Sequence, residues 1–191
     1  MQLLPLPQRL DLRAATGPLV SPLLRRCVGP PAAPSPTVVL REDGAFLDSH
    51  PSCPEASRTQ AYRLQLGEQG VVVSATGAAG WRHGLATLAQ MLEQTSDGER
   101  LPRGTIDDFP VLPWRGLQYD IARGMAYRHE HLKQVVRDMA SMKLNLLHLY
   151  LEGRFAYPSH PELHEPGLMT PAEARDLTAF AQGHGVTLVP Q

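Results

Sequence analysis

The sequence predicts an α+β domain over residues 1–110, followed over 111–191 by strands and helices in alternation, the opening of an α/β barrel cut short. Three observations lead there. Two β-rich segments precede one amphipathic helix, a proline-punctuated connector comes next, and beyond it the order is strand, helix, strand, helix, strand. Such alternation implies right-handed crossovers and a parallel sheet whose functional groups gather at the C-terminal strand ends. That places a site near residues 120–128, 151–158 and 190 onward.

In the first domain, proline rules out helix or central strand over Gly29-Pro30-Pro31-Ala32-Ala33-Pro34-Ser35-Pro36, which reads as a loop. Thr37 to Arg41 is a short β-rich run. Ala61 to Leu66 and Val71 to Ala75, separated by Gly67-Glu68-Gln69-Gly70, read as a hairpin. From Ala78 to about Gln94, Trp81, Leu85, Leu88, Ala89 and Leu92 fall on one helical face, suited to packing across that hairpin. Ser96-Asp97-Gly98 ends the helix, and Leu101 to Pro113 reads as connector, with the domain boundary between Asp108 and Pro113.

Gly116 to Ile121 is the first strand of the second domain, and Leu132, Val135, Val136, Met139 and Ala140 mark the helix after it. Leu144 to Leu151 is an almost unbroken apolar run, as expected of a strand covered on both faces. Thr170-Pro171-Ala172-Glu173 supplies an N-cap threonine, a proline at the first helical position and a glutamate three residues after the cap, which is a capping box. The face Ala174, Leu177, Phe180 and Ala181 follows, and Val186 to Pro190 is the third strand.

Composition narrows the functional classes. With 18 Lys or Arg against 19 Asp or Glu the formal charge is −1, so no strong field favours nucleic acid or an anionic membrane. Forty-two per cent apolar and 19% charged residues describe a chain with a sizeable core. No apolar run approaches the ~20 residues that span a bilayer. Residues 1–7 lack the basic and apolar regions of a secretory signal, so a cytoplasmic location is expected. Cys27 and Cys53, the only cysteines, are expected to be reduced thiols.

Residues suited to chemistry lie at the strand ends. Asp120 and Arg123 stand three apart after the first strand. A guanidinium held there can donate two parallel hydrogen bonds to vicinal hydroxyls, with Asp120 orienting it, and the same spacing also suits a plain ion pair. Glu152 and Arg154 follow the second strand, either as substrate contacts or as a mutual surface pair. His148 suits an interior position better than a ligand contact. His129 with His131 and His160 with His164 suggest metal ligands, but Pro158, Pro161 and Pro166 work against a helix presenting the second pair on one face. Phe155, Tyr157 and Tyr127 suit either packing or a platform for a sugar ring. Gly77-Ala78-Ala79-Gly80 lacks the lysine of a phosphate-binding loop and the full dinucleotide fingerprint.

Several segments, in order, resemble family 20 of the glycoside hydrolases, the β-N-acetylhexosaminidases. They are Gln60-Ala61-Tyr62-Arg63-Leu64, Gly70 to Ser74, Ala79-Gly80 with Gly84 to Leu88, Ile106-Asp107-Asp108-Phe109-Pro110, Pro113-Trp114-Arg115-Gly116, Asp120-Ile121-Ala122-Arg123, Met139 to Asn145, Leu147-His148-Leu149 and Gly185 to Pro190. The resemblance implies an α+β N-terminal domain and the first three βα units of a (β/α)8 TIM barrel, incomplete in this chain. It implies a terminal N-acetylhexosamine of a glycan as substrate, bound through Arg123, with no cofactor and no metal. The reaction it implies is retaining and substrate-assisted, the 2-acetamido oxygen attacking the anomeric carbon. The proton-donating Glu and the acetamido-orienting Asp of the family belong to the fourth barrel strand, beyond residue 191. No catalytic residue is therefore expected within these residues, and the remainder of the barrel is the expected partner.

Two departures stand out. Gly124-Met125 replaces a common His-Phe, and His148 to Tyr157 replaces a His-x-Leu-Ser/Thr-Asp-Asp stretch, which marks a divergent subgroup. A non-catalytic carbohydrate-binding or assembly module is the alternative reading.

Overall fold

The computed structural model describes residues 1–13, 17–18, 20, 38–68, 70–123 and 127–191, and it separates into two units, Met1–Pro113 and Trp114–Gln191. Cys27, the expected proline loop at 29–36, Thr37, Gly124 and Met125 lie outside the described residues.

The first unit is built on one sheet. Its strands are β1 (Arg9–Leu12), β2 (Val38–Glu42), β3 (Tyr62–Leu66), β4 (Val71–Ala75) and β5 (Gly104–Asp108), in the order β1-β5-β3-β4-β2. Only β2 and β4 run parallel; the other neighbours are antiparallel. The expected hairpin is β3–β4, with Leu66 opposite Val71 and the Gly67 N–H donating to the Gly70 carbonyl at 3.0 Å. Period-two alternation buries Tyr62, Leu64 and Leu66 on one side of β3.

Helix α1 (Ala78–Glu93) shares a core with these strands through Leu85, Leu88, Met91 and Leu92. Two positions assigned to its inner face, Trp81 and Ala89, are only half-buried. Gly80, Gly84 and Thr87 are buried instead. A Cβ on Gly80 would collide with the Ala61 carbonyl, and one on Gly84 with the Val73 side chain. At Gly80 and Gly84 the helix backbone lies so close to the sheet that no side chain fits, and an apolar periodicity does not mark such positions. At its far end, Gln90 and Gln94 each exchange two hydrogen bonds with the backbone of Leu4 and Gln2, at 2.6–2.8 Å.

Two strands depart from expectation. The segment read as connector contains β5, which lies inside the sheet between β1 and β3 with Ile106 opposite both Leu10 and Leu64. Pro102 and Pro110 flank β5 without entering it, so proline density concealed a five-residue strand. β1 was hidden in the same way among the prolines near the N-terminus.

The β3–β5 register sets Arg63 opposite Asp107. Arg63 donates from Nε and Nη2 to the two carboxylate oxygens at 2.6 and 2.7 Å, and His50 Nε2 lies 2.9 Å from Oδ2. The Asp107 side chain is 2% exposed. Burial alone would raise its carboxyl, but the hydrogen bonds from Arg63 and His50 outweigh that and hold it below the usual carboxylate range. Cys53 is a buried free thiol, raised by burial.

The second unit holds β6 (Gly116–Asp120), α2 (His129–Ser141), β7 (Leu146–Tyr150), α3 (Pro171–Gly183) and β8 (Thr187–Pro190). The strands pair in parallel in that order. Leu132, Val136 and Met139 of α2 and Leu177 and Ala181 of α3 share a core with Leu147 and Leu149 of β7. The capping box at Thr170 is formed as expected.

The burial of β7 alternates: Leu147 and Leu149 are buried against the helices, and Leu146, His148 and Tyr150 are half-buried on the other face. The opposite face carries Gln118 and Asp120 beside His148 and Tyr150, and His148 therefore points away from the helix layer. Among the described residues no helix is long and apolar enough to cross a membrane.

The Asp107 contacts lower its pKa in the folded state, so the stability they contribute is present above the unfolded value of about 4. It is lost as pH falls through the depressed folded value. Denaturant titrations from pH 7 down to 2 should show this loss, and Asp107→Asn should remove it while costing on the order of 3 kcal/mol at pH 7.

Candidate functional site

The parallel pairing brings the C-terminal ends of all three strands of the second unit to one rim. Asp120, the last residue of β6, lies opposite Tyr150, the last of β7, and the Ile121 N–H continues the ladder to the Tyr150 carbonyl at 2.9 Å. Asp120 Oδ1 accepts from the backbone N–H groups of Ala122 and Arg123 at 2.8 and 3.3 Å, which sets the turn after the strand.

Arg123 leaves that turn into solvent, its side chain 74% exposed. Its Nη1 is 3.5 Å from Asp120 Oδ2. Its guanidinium carbon lies 5.0 Å from the centre of the Tyr150 ring, and its Nη2 donates to the Tyr150 hydroxyl at 3.4 Å. A half-buried Asp120 and an exposed Arg123 are thus brought together, with the guanidinium stacked on an aromatic face.

Glu152 joins the same cluster from the next loop, accepting a short hydrogen bond from the Tyr150 hydroxyl. That bond, reinforced by the loss of hydration and the Glu152 charge, raises the Tyr150 phenol above its ordinary value. Glu152 has φ of 42°, left-handed for a non-glycine residue, and its N–H donates to the Gln191 carbonyl at 3.0 Å. Arg154 is directed elsewhere, toward the Gly167 carbonyl at 3.3 Å. The four residues singled out from sequence therefore divide: Asp120, Arg123 and Glu152 form one cluster through Tyr150, and Arg154 braces its own loop.

Tyr150 was not singled out in advance. The signal was present in the alternation of Leu146, His148 and Tyr150 against Leu147 and Leu149, which an overall apolar run obscured.

The remaining candidates are engaged separately. Phe155 and Tyr157 meet edge to face at 5.0 Å, and Phe155 and Tyr127 pack against the second core. Of the three aromatic residues only Tyr157 is exposed, so they do not form an open platform. The Tyr127 hydroxyl donates to Glu173 at 3.2 Å, and burial with the Glu173 charge pushes it up to about 12. Glu173 is held below its ordinary value first by the Thr170 backbone N–H and then by the Thr170 hydroxyl. His129 pairs with Asp176, His131 with the Tyr119 hydroxyl, His160 with Glu162 and His164 with the Tyr157 carbonyl. Among the described residues no three His, Cys, Asp or Glu side chains converge to hold a metal ion.

The chain is similar to known proteins in sequence and in fold. Two family models match in succession: "Glycosyl hydrolase family 20, domain 2" over residues 24–109 and "Glycosyl hydrolase family 20, catalytic domain" over residues 112–191. A beta-hexosaminidase of Akkermansia muciniphila is 35% identical over 154 residues, covering 70% of this chain and 31% of the relative. A beta-N-acetylhexosaminidase of Cellulomonas fimi is 31% identical over 148 residues, covering 69% of this chain and 30% of its own. The chain thus spans under a third of the length of these curated relatives. A solved family 20 beta-N-acetylglucosaminidase superposes on 98% of this chain and 41% of its own, with a TM-score of 0.75 at 25% identity.

Glu152→Gln removes the charge that holds the Tyr150 proton. A spectrophotometric phenol titration of this variant should place Tyr150 closer to its ordinary value than in the parent chain.

Proposed function

The chain belongs to glycosyl hydrolase family 20, and on that premise we propose that it supplies the N-terminal domain and the first three strands of the catalytic barrel of a β-N-acetylhexosaminidase. Such an enzyme removes terminal non-reducing N-acetylhexosamine residues from glycans. The observation that carries this reading is the exposed guanidinium of Arg123 at the C-terminal rim of a parallel sheet, where barrel enzymes place their ligand groups. Arg123 donates two parallel hydrogen bonds to vicinal hydroxyls of the terminal sugar, and Asp120 orients it. Glu152 contributes a polar group from the second strand's loop, whereas Arg154, turned to the Gly167 carbonyl, takes no part in the reading.

In this reading the chemistry is substrate-assisted. The sugar's 2-acetamido oxygen attacks the anomeric carbon, a Glu protonates the departing oxygen, and a neighbouring Asp orients the acetamido group. Both carboxylates belong to the fourth barrel strand, outside residues 1–191. The unpaired edges of β6 and β8 are the edges that the remainder of the barrel closes.

Purified residues 1–191 should release no more 4-nitrophenol from an aryl N-acetyl-β-glucosaminide than a buffer blank does. Turnover above that blank would overturn the division of labour proposed here.

In the full-length enzyme Arg123→Ala should raise KM and lower kcat/KM roughly tenfold to hundredfold, since a hydrogen bond to a charged group contributes about 1.5–3 kcal/mol. Unchanged kinetics would return Arg123 to a surface ion pair.

A further inference from the structure

We infer that Tyr150 is a positioning residue whose ring holds the Arg123 guanidinium in place for the sugar. The inference rests on the sugar-binding reading of Arg123 and adds to it the means by which an exposed arginine is pre-organised.

A long arginine side chain that follows a strand loses rotamer freedom when a ligand fixes it, and that loss weakens the ligand's hold unless the side chain is held beforehand. Asp120 draws the guanidinium by charge at 3.5 Å, longer than a strong charge-assisted hydrogen bond, and so leaves its plane free. Tyr150 restrains that plane: its ring lies 5.0 Å from the guanidinium carbon, and the contact of its hydroxyl with Nη2 at 3.4 Å is secondary.

Tyr150 is itself restrained. Its hydroxyl donates to Glu152, whose left-handed backbone is tied by its N–H to the Gln191 carbonyl, which also accepts from the Leu151 N–H at 2.8 Å. A non-glycine residue in that conformation persists only where its surroundings over-determine it, and such residues cluster at functional sites. The restraint runs from Gln191 after β8, through Glu152 and Tyr150 of β7, to Arg123 after β6. Each of the three strands contributes one link.

The test uses the full-length enzyme with 4-nitrophenyl N-acetyl-β-glucosaminide, circular dichroism confirming that each variant folds. Tyr150→Ala should raise KM roughly two- to fivefold, with a smaller effect on kcat, as expected for an exposed cation–π contact. Tyr150→Phe, which keeps the ring, should recover most of that loss. In an Arg123→Ala background, Tyr150→Ala should add nothing further, because its only route to the substrate is gone. If Tyr150→Ala does not fold, Tyr150→Leu replaces it in the same cycle. Single effects that multiply in the double variant would overturn the inference, as would a Phe variant no better than Ala, which would show that the ring does not hold the guanidinium. Both results leave the Arg123 reading standing. Only an Arg123→Ala variant with unchanged kinetics would remove that reading, and the inference with it.

Discussion

The rim depends on one register: Asp120 opposite Tyr150 across two parallel strands. Slipping β6 by one residue would turn Asp120 toward the helix layer and carry the following turn, with Arg123, away from the tyrosine ring. The core opposes that slip. Leu147 and Leu149 are fully buried beneath α2 and α3, and the same slip would exchange Leu117 and Tyr119, which pack against that core, for Gln118 and Asp120. Apolar burial on one face thus fixes the placement of polar groups on the other, and the loops inherit it.

The first unit rests on a comparable pairing. Arg63 and Asp107 face each other on adjacent strands, and the carboxylate is nearly inaccessible, so its charge is tolerable only because two guanidinium hydrogen bonds and an imidazole surround it. α1 covers the other face of the same strands through glycines and a threonine, exchanging apolar area for close approach. The two devices are complementary: a dense contact between helix and sheet on one side, and a saturated polar cluster on the other.

The alternation of strands and helices after residue 114 was legible because each element carried its own signal. α2 showed its stripe, α3 its capping box, β7 its apolar run. What escaped shares a cause. β1 and β5 are short strands set among prolines, and their place in the sheet is decided by the neighbours they pair with, not by their own composition. The inner face of α1 was legible in Leu85, Leu88 and Leu92, with Trp81 packed against the same core, but not in Gly80 and Gly84, because glycine leaves no mark in an apolar period. At the rim, Asp120 and Arg123 were legible from their spacing, and Glu152 from its position after a strand. Arg154 fell in with them by proximity in sequence, although its side chain turns to Gly167. Tyr150 could be assigned only after the alternation of β7 had been seen in three dimensions.

Glu173 carries a consequence for anyone altering the second unit. Its carboxylate accepts from Thr170 to begin α3 and from the hydroxyl of Tyr127, a residue that precedes α2. One side chain serves two structures and cannot be exchanged for the sake of either alone.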